Sequence, residues 1–303
     1  MPSLIYNVCR RALVILYKWL FDVLLLTTAL RSWIDMSAKI GFIGAGRMAE
    51  AMIKGLLFQE LYTEEEIIAC APSKETRERV ASNLGITMYE NASEVASRTD
   101  VLVLAIKPKL ISGLFEDEGL ALGSRHLLIS IAAGIRISAL ESYVPDTRIV
   151  RVMPNHCCMV MECASGFSRG NRATDEDMET VYEILSSIGL AIEVAEEDLD
   201  AVTGVCGSSP AFMYMFAEAI AKVGAENGLS EDIALEFAAQ SMVGAGRMML
   251  ETGMSPKELV DSVCSPGGTT IEGVKVLEDR GFDKTVQESI RAVIKKSRSM
   301  GSS

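Results

Sequence analysis

The sequence predicts an α/β protein in which a parallel β-sheet, covered by helices, is followed by an all-helical region. In the first half of the chain, short and almost continuous apolar runs alternate with helical patterns, as in a sheet buried on both faces. A glycine-rich turn joins the first of these runs to a helix. From Leu199 onward the pattern changes to long helices, which we expect over residues 210–227 and 230–252 and from Ser255.

The composition is that of a packed protein with one large or two medium domains. The chain has 303 residues, of which 49% are hydrophobic and 23% are charged. Its formal net charge is −12. This acidic balance disfavours nucleic acid as a partner, because a protein that binds phosphate backbones needs a basic surface.

The seven cysteines and two histidines predict neither a disulfide framework nor a metal centre. The cysteines are scattered and odd in number, which is typical of reduced intracellular thiols. His126 and His156 lack the spacing of zinc ligands, so we expect no metal, although a site built from both with Cys157 or Cys158 is an alternative.

Residues 1–35 differ from the rest of the chain. Four basic and two acidic residues accompany an apolar run over residues 13–30, which Lys18 and Asp22 interrupt. Two central charges offset the favourable transfer of the apolar side chains, so this run is marginal as a membrane span. We expect a dispensable extension before Met36, with mitochondrial targeting or membrane association as alternatives. The expected location is cytoplasmic, with mitochondria as the alternative.

The turn after the first predicted strand has the pattern G-x-G-x-x-A, formed by Gly44, Gly46 and Ala49. The first glycine permits a tight turn, the second lets a pyrophosphate approach the backbone, and the alanine lets the helix pack closely on the strand. The helix N-terminus adds unpaired N–H groups and a favourable dipole. A glycine triplet alone indicates only a turn, but strand, triplet and helix in this order predict a Rossmann-like dinucleotide-binding domain.

The end of the next predicted strand, Ile67–Ala71, bears on the choice of cofactor. A site selective for NADH usually has a carboxylate here, whereas this chain has Ser73, Lys74 and Arg77. A hydroxyl and positive charge suit a 2′-phosphate, so NADPH is favoured and NADH is possible. The alternative is an ordinary solvated helix start.

Three further strands are predicted over residues 100–106, 126–131 and 149–155. Ligands of open α/β sheets bind beyond the carboxyl ends of the strands. We therefore expect Lys107, Ala132, Ala133 and Asn155 on the cofactor side of the sheet.

Two polar turns are expected within the helical half, over residues 204–212 and 264–270. The second reads Ser265-Pro266-Gly267-Gly268-Thr269-Thr270 and leads into a helix. Unpaired N–H groups at such a helix start suit a carboxylate or another small anion, and a plain helix cap is the alternative.

Together these motifs resemble the pyrroline-5-carboxylate reductase family over residues 37–298. The resemblance rests on GFIGAG-x-MA at 41–49, AIKP at 105–108, RVMPN at 151–155, DAVTG at 200–204 and SPGGTT at 265–270. It implies NAD(P)H-dependent reduction of Δ1-pyrroline-5-carboxylate to L-proline, the last step of proline biosynthesis. It also implies a dinucleotide-binding domain over 36–198 and a helical dimerisation and substrate-binding domain over 199–303, in a homodimer or a larger homo-oligomer.

The resemblance also implies site residues. Thr270 would be the catalytic residue, through a hydrogen bond to the imine nitrogen. The implied substrate contacts are Ser208, Ser265, Gly267, Gly268, Thr269 and Thr270. The implied cofactor contacts are Gly44, Ala45, Gly46, Arg47, Met48, Ser73, Asn91, Ile106, Lys107, Pro108, Ala132 and Ala133.

The chain departs from the family pattern at several positions: Arg47, His156, Cys157, Cys163, Cys206, Ser209 and Phe212. Two other functions stay open at this point. One is an NADP-dependent dehydrogenase of the β-hydroxy-acid type, for which Lys222 would have to serve as the catalytic lysine. The other is a dinucleotide-binding regulatory protein without catalysis. Gly267, Gly268 and Thr270 favour the reductase.

Removal of residues 1–35 tests the expected role of the extension. The domain that begins at Met36 opens with a complete strand, so nothing upstream is needed to bind a nucleotide. We expect a chain that starts at Met36 to be as soluble and as active a reductase as the full chain, measured side by side. Insolubility or lost activity would show that the extension packs on the fold or completes an interface.

Overall fold

The computed structural model describes residues 38–300, so the predicted extension over residues 1–35 lies outside the described residues. A single eight-stranded sheet occupies the first half of this region. Its strands are β1 Ile40–Ile43, β2 Ile67–Cys70, β3 Thr87–Tyr89, β4 Val101–Leu104, β5 Leu127–Ser130, β6 Arg148–Met153, β7 Cys163–Arg169 and β8 Gly189–Glu193.

The strand order in the sheet is β3-β2-β1-β4-β5-β6-β7-β8. The first six strands are parallel and have the doubly wound order of a Rossmann fold, whereas β7 runs antiparallel to β6. Two buried apolar clusters pack on the sheet, one containing Phe42 and the other Ile43. Because successive side chains of a strand point to opposite faces, these neighbours show that both faces of β1 are covered.

The helices alternate with the parallel strands and then continue alone. Their ranges are α1 Arg47–Phe58, α2 Lys74–Leu84, α3 Ala92–Ala96, α4 Ile137–Tyr143, α5 Asp175–Ser186, α6 Leu199–Val202, α7 Ser209–Glu226, α8 Glu231–Glu251, α9 Pro256–Val263, α10 Thr269–Asp279 and α11 Phe282–Met300. The predicted α/β class with a helical second half is confirmed. None of the helices in residues 38–300 is both long and apolar enough to cross a membrane.

The helix starts in the second half follow local capping chemistry. The Ser230 hydroxyl accepts a hydrogen bond from the Ile233 N–H and so caps α8. Ser255 and Glu258 form a reciprocal capping box at α9, with Pro256 as its first residue. These caps explain why the predicted starts at Ser230 and Ser255 lie within one residue of the observed helices.

The stretch over residues 204–212 is helical, so the expectation of a polar turn there is wrong. Thr203–Gly207 forms a π-helical turn that runs directly into α7. Gly204 permits this path, because a Cβ there would lie 2.7 Å from Ile294 Cγ1 of α11. Long-range packing against α11, invisible in the local sequence, holds the segment in a helix.

Three polar contacts hold the start of the helical half in place. The Ser297 hydroxyl of α11 donates a hydrogen bond to Asp200 Oδ1 of α6 at 2.5 Å. The Glu196 carboxylate accepts hydrogen bonds from the Ile137 N–H of α4, at 2.7 Å, and from Arg151 of β6, at 3.0 Å. The connection before α6 is therefore held against the carboxyl edge of the sheet, where α4 begins.

A buried ion pair holds α5 against the sheet. The Asp177 carboxylate accepts hydrogen bonds from Arg148 of β6, and from the backbone N–H and the hydroxyl of Thr174. Its side chain is 4% exposed, so its charge depends on these partners.

We expect Asp177→Ala to lower the free energy of unfolding by about 3 kcal/mol, because it leaves Arg148 unpaired and removes half of the capping box at α5. The measurement is urea denaturation at a fixed protein concentration. Asp175→Ala is the matched control, since that side chain is 90% exposed in the same helical turn and pairs only with Arg169 and solvent. A control loss of about 1 kcal/mol or less is expected, and equal losses in the two variants would contradict the assignment.

Candidate functional site

The glycine loop after β1 has a conformation that only glycine accepts at its first position. Gly44 has φ +100°, and a Cβ there would lie 2.6 Å from the Ala105 carbonyl oxygen. The Gly44 N–H donates to the Cys70 carbonyl at 3.1 Å, and the Ala105 N–H donates to the Ile43 carbonyl at 2.9 Å. The ends of β1, β2 and β4 are thereby fastened together.

The second glycine leaves open space above a helix start. A Cβ at Gly46 would meet nothing within 4 Å, and Gly46 is the N-cap of α1 without a side-chain cap. Ala49, one turn into α1, is fully buried, so the helix packs closely on the sheet. Open backbone, uncapped N–H groups and the helix dipole fit the pyrophosphate of a dinucleotide.

The other expected cofactor residues line the same edge of the sheet. Because β1 lies between β2 and β4, the chain leaves the sheet in opposite directions on its two sides, and this creates the crevice in which such folds bind ligands. Ile106 and Pro108 are half-buried beyond β4, and Lys107 between them is exposed. Ala132 is buried and Ala133 is exposed beyond β5.

The loop after β2 differs from the expectation in one respect. Ser73 is the N-cap of α2 and accepts a hydrogen bond from the Thr76 N–H. Arg77 does not project freely from the loop: it donates to the Ala71 and Pro72 carbonyls at 2.8 Å and pairs with Glu90 at 3.2 Å. Lys74 pairs with Glu78 on the surface. Ser73 and Lys74 are therefore the residues of this loop with an exposed polar end.

Asn91, the remaining expected cofactor residue, follows β3 on the outer side of the same edge. It is exposed and is the N-cap of α3, with no side-chain hydrogen bond to the helix. The side-chain amide therefore does not cap the helix, which leaves it available to a ligand.

A cleft of about 730 Å³ opens beside the glycine loop, between α1 and α2. Its lining includes Gly46, Arg47, Lys54, Arg79 and Met159. Arg79 makes a two-point contact with Glu50, both N–O distances being 2.7 Å. Lys54, Arg79 and Met159 were not predicted as site residues from sequence, because only the fold brings them to the loop.

Asn155, at the end of β6, organises the loop that faces the glycine loop. Its Oδ1 accepts hydrogen bonds from the N–H groups of Cys157, at 3.1 Å, and Ala164, at 3.3 Å, and its Nδ2 donates to the Cys206 carbonyl at 3.1 Å. One buried amide therefore joins the sheet edge to the π-helical turn before Ser208. The position of Asn155 at the end of a predicted strand indicated from sequence that it lies at this edge. Its hydrogen-bond partners could not be identified from sequence.

The helical half contributes a second turn of unusual shape. Gly267 has φ +75°, and the Gly268 N–H donates to the Ser265 carbonyl at 2.9 Å, which closes the turn. A Cβ at Gly268 would lie 2.7 Å from Ser265 Oγ, so the turn is too tight for a side chain there. Gly268 is the N-cap of α10, again without a side-chain cap, and Thr269 and Thr270 are its exposed first residues.

The chain brings some of the expected site residues together and leaves others on a separate surface. Ser208 lies near the sheet edge, because a Cβ on its neighbour Gly207 would be 2.9 Å from Met153 Cε. The turn at 265–270 instead lies before α10, which buries none of its own residues and packs on α11. The described residues contain no cluster of three or more metal-ligating side chains.

Comparisons with known proteins agree with these features. A family model described as pyrroline-5-carboxylate reductase dimerisation matches residues 196–300, and one described as NADP oxidoreductase, coenzyme F420-dependent, matches residues 39–134. A pyrroline-5-carboxylate reductase of Methanosarcina acetivorans is 39% identical over 264 residues, which cover 87% of this chain and 98% of that protein.

Solved structures show the same fold. The Plasmodium falciparum pyrroline carboxylate reductase with NADP bound matches with a TM-score of 0.78 and 30% identity, over 88% of this chain and 99% of that one. The 1-pyrroline-5-carboxylate reductase of Streptococcus pyogenes matches with a TM-score of 0.78 and 33% identity, over 86% of this chain and 98% of that one. The chain therefore belongs to the pyrroline-5-carboxylate reductase family.

Proposed function

We propose that this chain reduces Δ1-pyrroline-5-carboxylate to L-proline, the last step of proline biosynthesis, with NADPH as the preferred reductant and NADH as a possible one. The observation that carries this proposal is the presence of two uncapped helix starts, one after the glycine loop and one after the SPGGTT turn, in a member of this family. We assign the dinucleotide to a domain over residues 36–198 and the substrate to a domain over residues 199–303.

The residues of the chain have a limited chemical task in this reaction. When bound, the reduced nicotinamide supplies the hydride. The C5 carbon of a protonated cyclic imine is already electrophilic, so the protein needs to hold and orient it. We assign the substrate carboxylate to the N–H groups of Gly268 and Thr269, and assign Ser265 and Gly267 to the shape of the turn.

Thr270 is assigned to the reacting end of the substrate. Its hydroxyl accepts a hydrogen bond from the protonated ring nitrogen and so fixes the face of the imine that receives the hydride. Ser208 lies at the edge of the sheet, apart from this turn within one chain, and we assign it to the same pocket in the assembled oligomer. No lysine or histidine is needed as an acid, which agrees with the exposed, unclustered Lys222 of α7.

A second copy of the chain completes the helical half in this proposal. In α7 the buried residues are Ala217 and Ala221, and in α8 they are Ala234 and Ala238, so the two helices bury small side chains. Their large apolar residues are exposed: Met213, Met215, Phe216, Ile220, Val223, Ile233, Phe237, Val243, Met248 and Leu250 among them. Such a surface needs a partner, and the match to a dimerisation model supports a homodimer, with a larger homo-oligomer as the alternative.

The thiols support a reducing location for this reaction. The cysteines in the described residues are free. We therefore assign the protein to the cytoplasm, with mitochondria as the alternative.

Replacement of Thr270 by valine tests the substrate assignment. Thr270→Val keeps the shape of the side chain but removes the hydroxyl. A hydrogen bond made to the reacting iminium is worth roughly 1.5–3 kcal/mol, so kcat/KM for pyrroline-5-carboxylate is expected to fall by about tenfold to over a hundredfold. The dissociation constant for NADPH is expected to stay the same, because the glycine loop belongs to the other domain.

Thr285→Val is the matched control for this substitution. The Thr285 hydroxyl donates to the Gly281 carbonyl in the first turn of α11, so the same atoms are removed where no substrate is expected. Unchanged kcat/KM in Thr270→Val, or equal losses in both variants, would show that the assigned role of Thr270 is wrong.

Ser73→Asp tests the preference for NADPH. Aspartate still caps α2, so the fold is kept, but its charge repels a 2′-phosphate and suits the ribose hydroxyls of NADH. We expect the ratio of kcat/KM for NADPH to that for NADH to exceed one in the unaltered protein and to fall about tenfold or more in the variant.

Ser142→Asp adds the same charge at the end of α4, whose last turn leads into the start of β6 at the opposite edge of the sheet. The ratio is expected to stay unchanged in this control. An unaltered protein that uses both nicotinamides equally, or prefers NADH, would refute the proposed preference.

A further inference from the structure

Two buried cysteines lie side by side in the loop that faces the glycine loop. Cys158 belongs to the short helical segment His156–Val160, and Cys163 is the first residue of β7. Both residues are anchored to Asn155, and they are 2% and 3% exposed. We call these two residues the thiol pair. The thiol pair has no role in the proposed reaction.

The backbone around the thiol pair holds the two sulfur atoms in place. The Asn155 carbonyl accepts hydrogen bonds from the Cys158 N–H, at 3.3 Å, and from the Cys163 thiol, at 3.4 Å. The Asn155 N–H approaches Cys163 Sγ at 3.4 Å, and the Ser165 hydroxyl lies 3.3 Å from it. Both cysteines are therefore hydrogen-bonded to the same residue, which keeps these two residues close in the folded protein.

The same contacts make one member of the thiol pair reactive. The hydrogen bond from Cys158, with those from Ser165 and the Asn155 backbone, lowers the pKa of Cys163, against the opposing effect of burial. The pKa of Cys158 is raised, because it holds the shared proton and is buried. A thiolate beside a protonated thiol is the arrangement that oxidation to a disulfide requires.

The turn between the two cysteines gives a small oxidant a way in. Met159 and Val160 are exposed, and Met161 adopts the left-handed conformation, with φ 60°, without being glycine. An exposed, strained turn opens locally more easily than the strands around it. We expect hydrogen peroxide, which is little larger than water, to reach Cys163 through such an opening.

Cys158 also contacts the start of α1, beside the cleft at the glycine loop. Cys158 Sγ lies 3.2 Å from Met48 Sδ, and Met48 is the second residue of α1, directly after the glycine loop. Met159, the residue after Cys158, lines the cleft beside Gly46 and Arg47. A movement of Cys158 therefore changes the packing of the helix start assigned to the pyrophosphate.

We propose that the thiol pair is a site of reversible oxidation, at which a hydroperoxide converts Cys158 and Cys163 to a disulfide and thereby weakens dinucleotide binding. The Cys163 thiolate attacks the peroxide, so that an S–O bond forms, the O–O bond breaks and hydroxide leaves. The Cys158 thiol then attacks the sulfenic sulfur, its proton leaving with the oxygen as water. Overall, two thiols lose two electrons and two protons, and one hydrogen peroxide becomes two waters.

The effect on binding follows from the bond that forms. A disulfide fixes the two sulfur atoms at about 2.0 Å, which draws Cys158 toward β7 and away from Met48. This consequence rests on the proposed function, because it assumes that the dinucleotide uses this cleft. Formation of the disulfide does not rest on it.

The test uses the full-length protein, reduced and then treated with hydrogen peroxide. After denaturation and alkylation, peptide mapping is expected to show Cys158 linked to Cys163 and Cys70 still alkylated. Cys70 is the internal control, because burial raises the pKa of its thiol to about 11. The dissociation constant for NADPH, measured by fluorescence titration, is expected to rise about fivefold or more and to recover with dithiothreitol.

Two substitutions separate the thiol pair from its neighbours. Cys163→Ser is expected to bind NADPH normally and to lose the response to peroxide. Cys206→Ser is the matched control: Cys206 contacts the same loop through the Ala164 carbonyl, at 3.5 Å, and its replacement is expected to leave the response intact. If Cys163→Ser does not fold, the peptide map of the unaltered protein decides the question alone.

The possible results test different parts of the proposal. Absence of the Cys158–Cys163 link, or a response that depends on Cys206, overturns the proposed site. A link that forms without change in the dissociation constant overturns its coupling to the cleft. An enzyme that binds NADPH in a redox-dependent way but does not reduce pyrroline-5-carboxylate refutes the proposed function and leaves this site standing.

Discussion

The cofactor edge of this protein depends on the close approach of Gly44 to the Ala105 carbonyl. With β1 hydrogen-bonded to β2 on one side and β4 on the other, the chain has to leave the sheet between two strand ends that are already joined. Only a residue without Cβ, in the left-handed conformation, makes that exit. The direction of α1, the open backbone at Gly46 and the position of the cleft all follow from this turn, so the first glycine determines the geometry of the whole edge.

The helical half obeys a different constraint. Small residues let α7 and α8 approach closely, as shown by Gly224, where a Cβ would lie 3.0 Å from Ala234 Cβ. Close approach through small side chains turns the large apolar side chains outward. The tight contact within one chain thus creates the surface that a second copy covers. Pairing of two copies then covers this surface, in contrast to the sheet, which has its own covered core.

Strands buried on both faces were predictable from sequence, because a continuous apolar run such as Val101–Leu104 is typical of such strands. β3, β7 and β8 were missed: β3 is a three-residue edge strand with no buried residue, β7 contains buried Ser165 and Ser168, and β8 is an edge strand with exposed Leu190 and Ile192. The glycine loop and the SPGGTT turn could be found as local patterns. Partners distant in sequence could not, such as Glu50 for Arg79, Glu90 for Arg77 or Cys206 for Asn155. The roles assigned to Ser73, Asn91 and Thr270 remain predictions.

The packing of α11 on the π-helical turn has a consequence for synthesis of the chain. Ile290 and Ile294 cover Gly204, and Ser297 bonds Asp200, so the segment that connects the two halves is completed by some of the last residues described. On the ribosome, α6 and the turn after it emerge long before α11 does. The sheet has all its strands by then, whereas the connection is completed only when α11 has been made. Synthesis of α11, rather than completion of the sheet, therefore sets the moment at which the helical half becomes competent to pair.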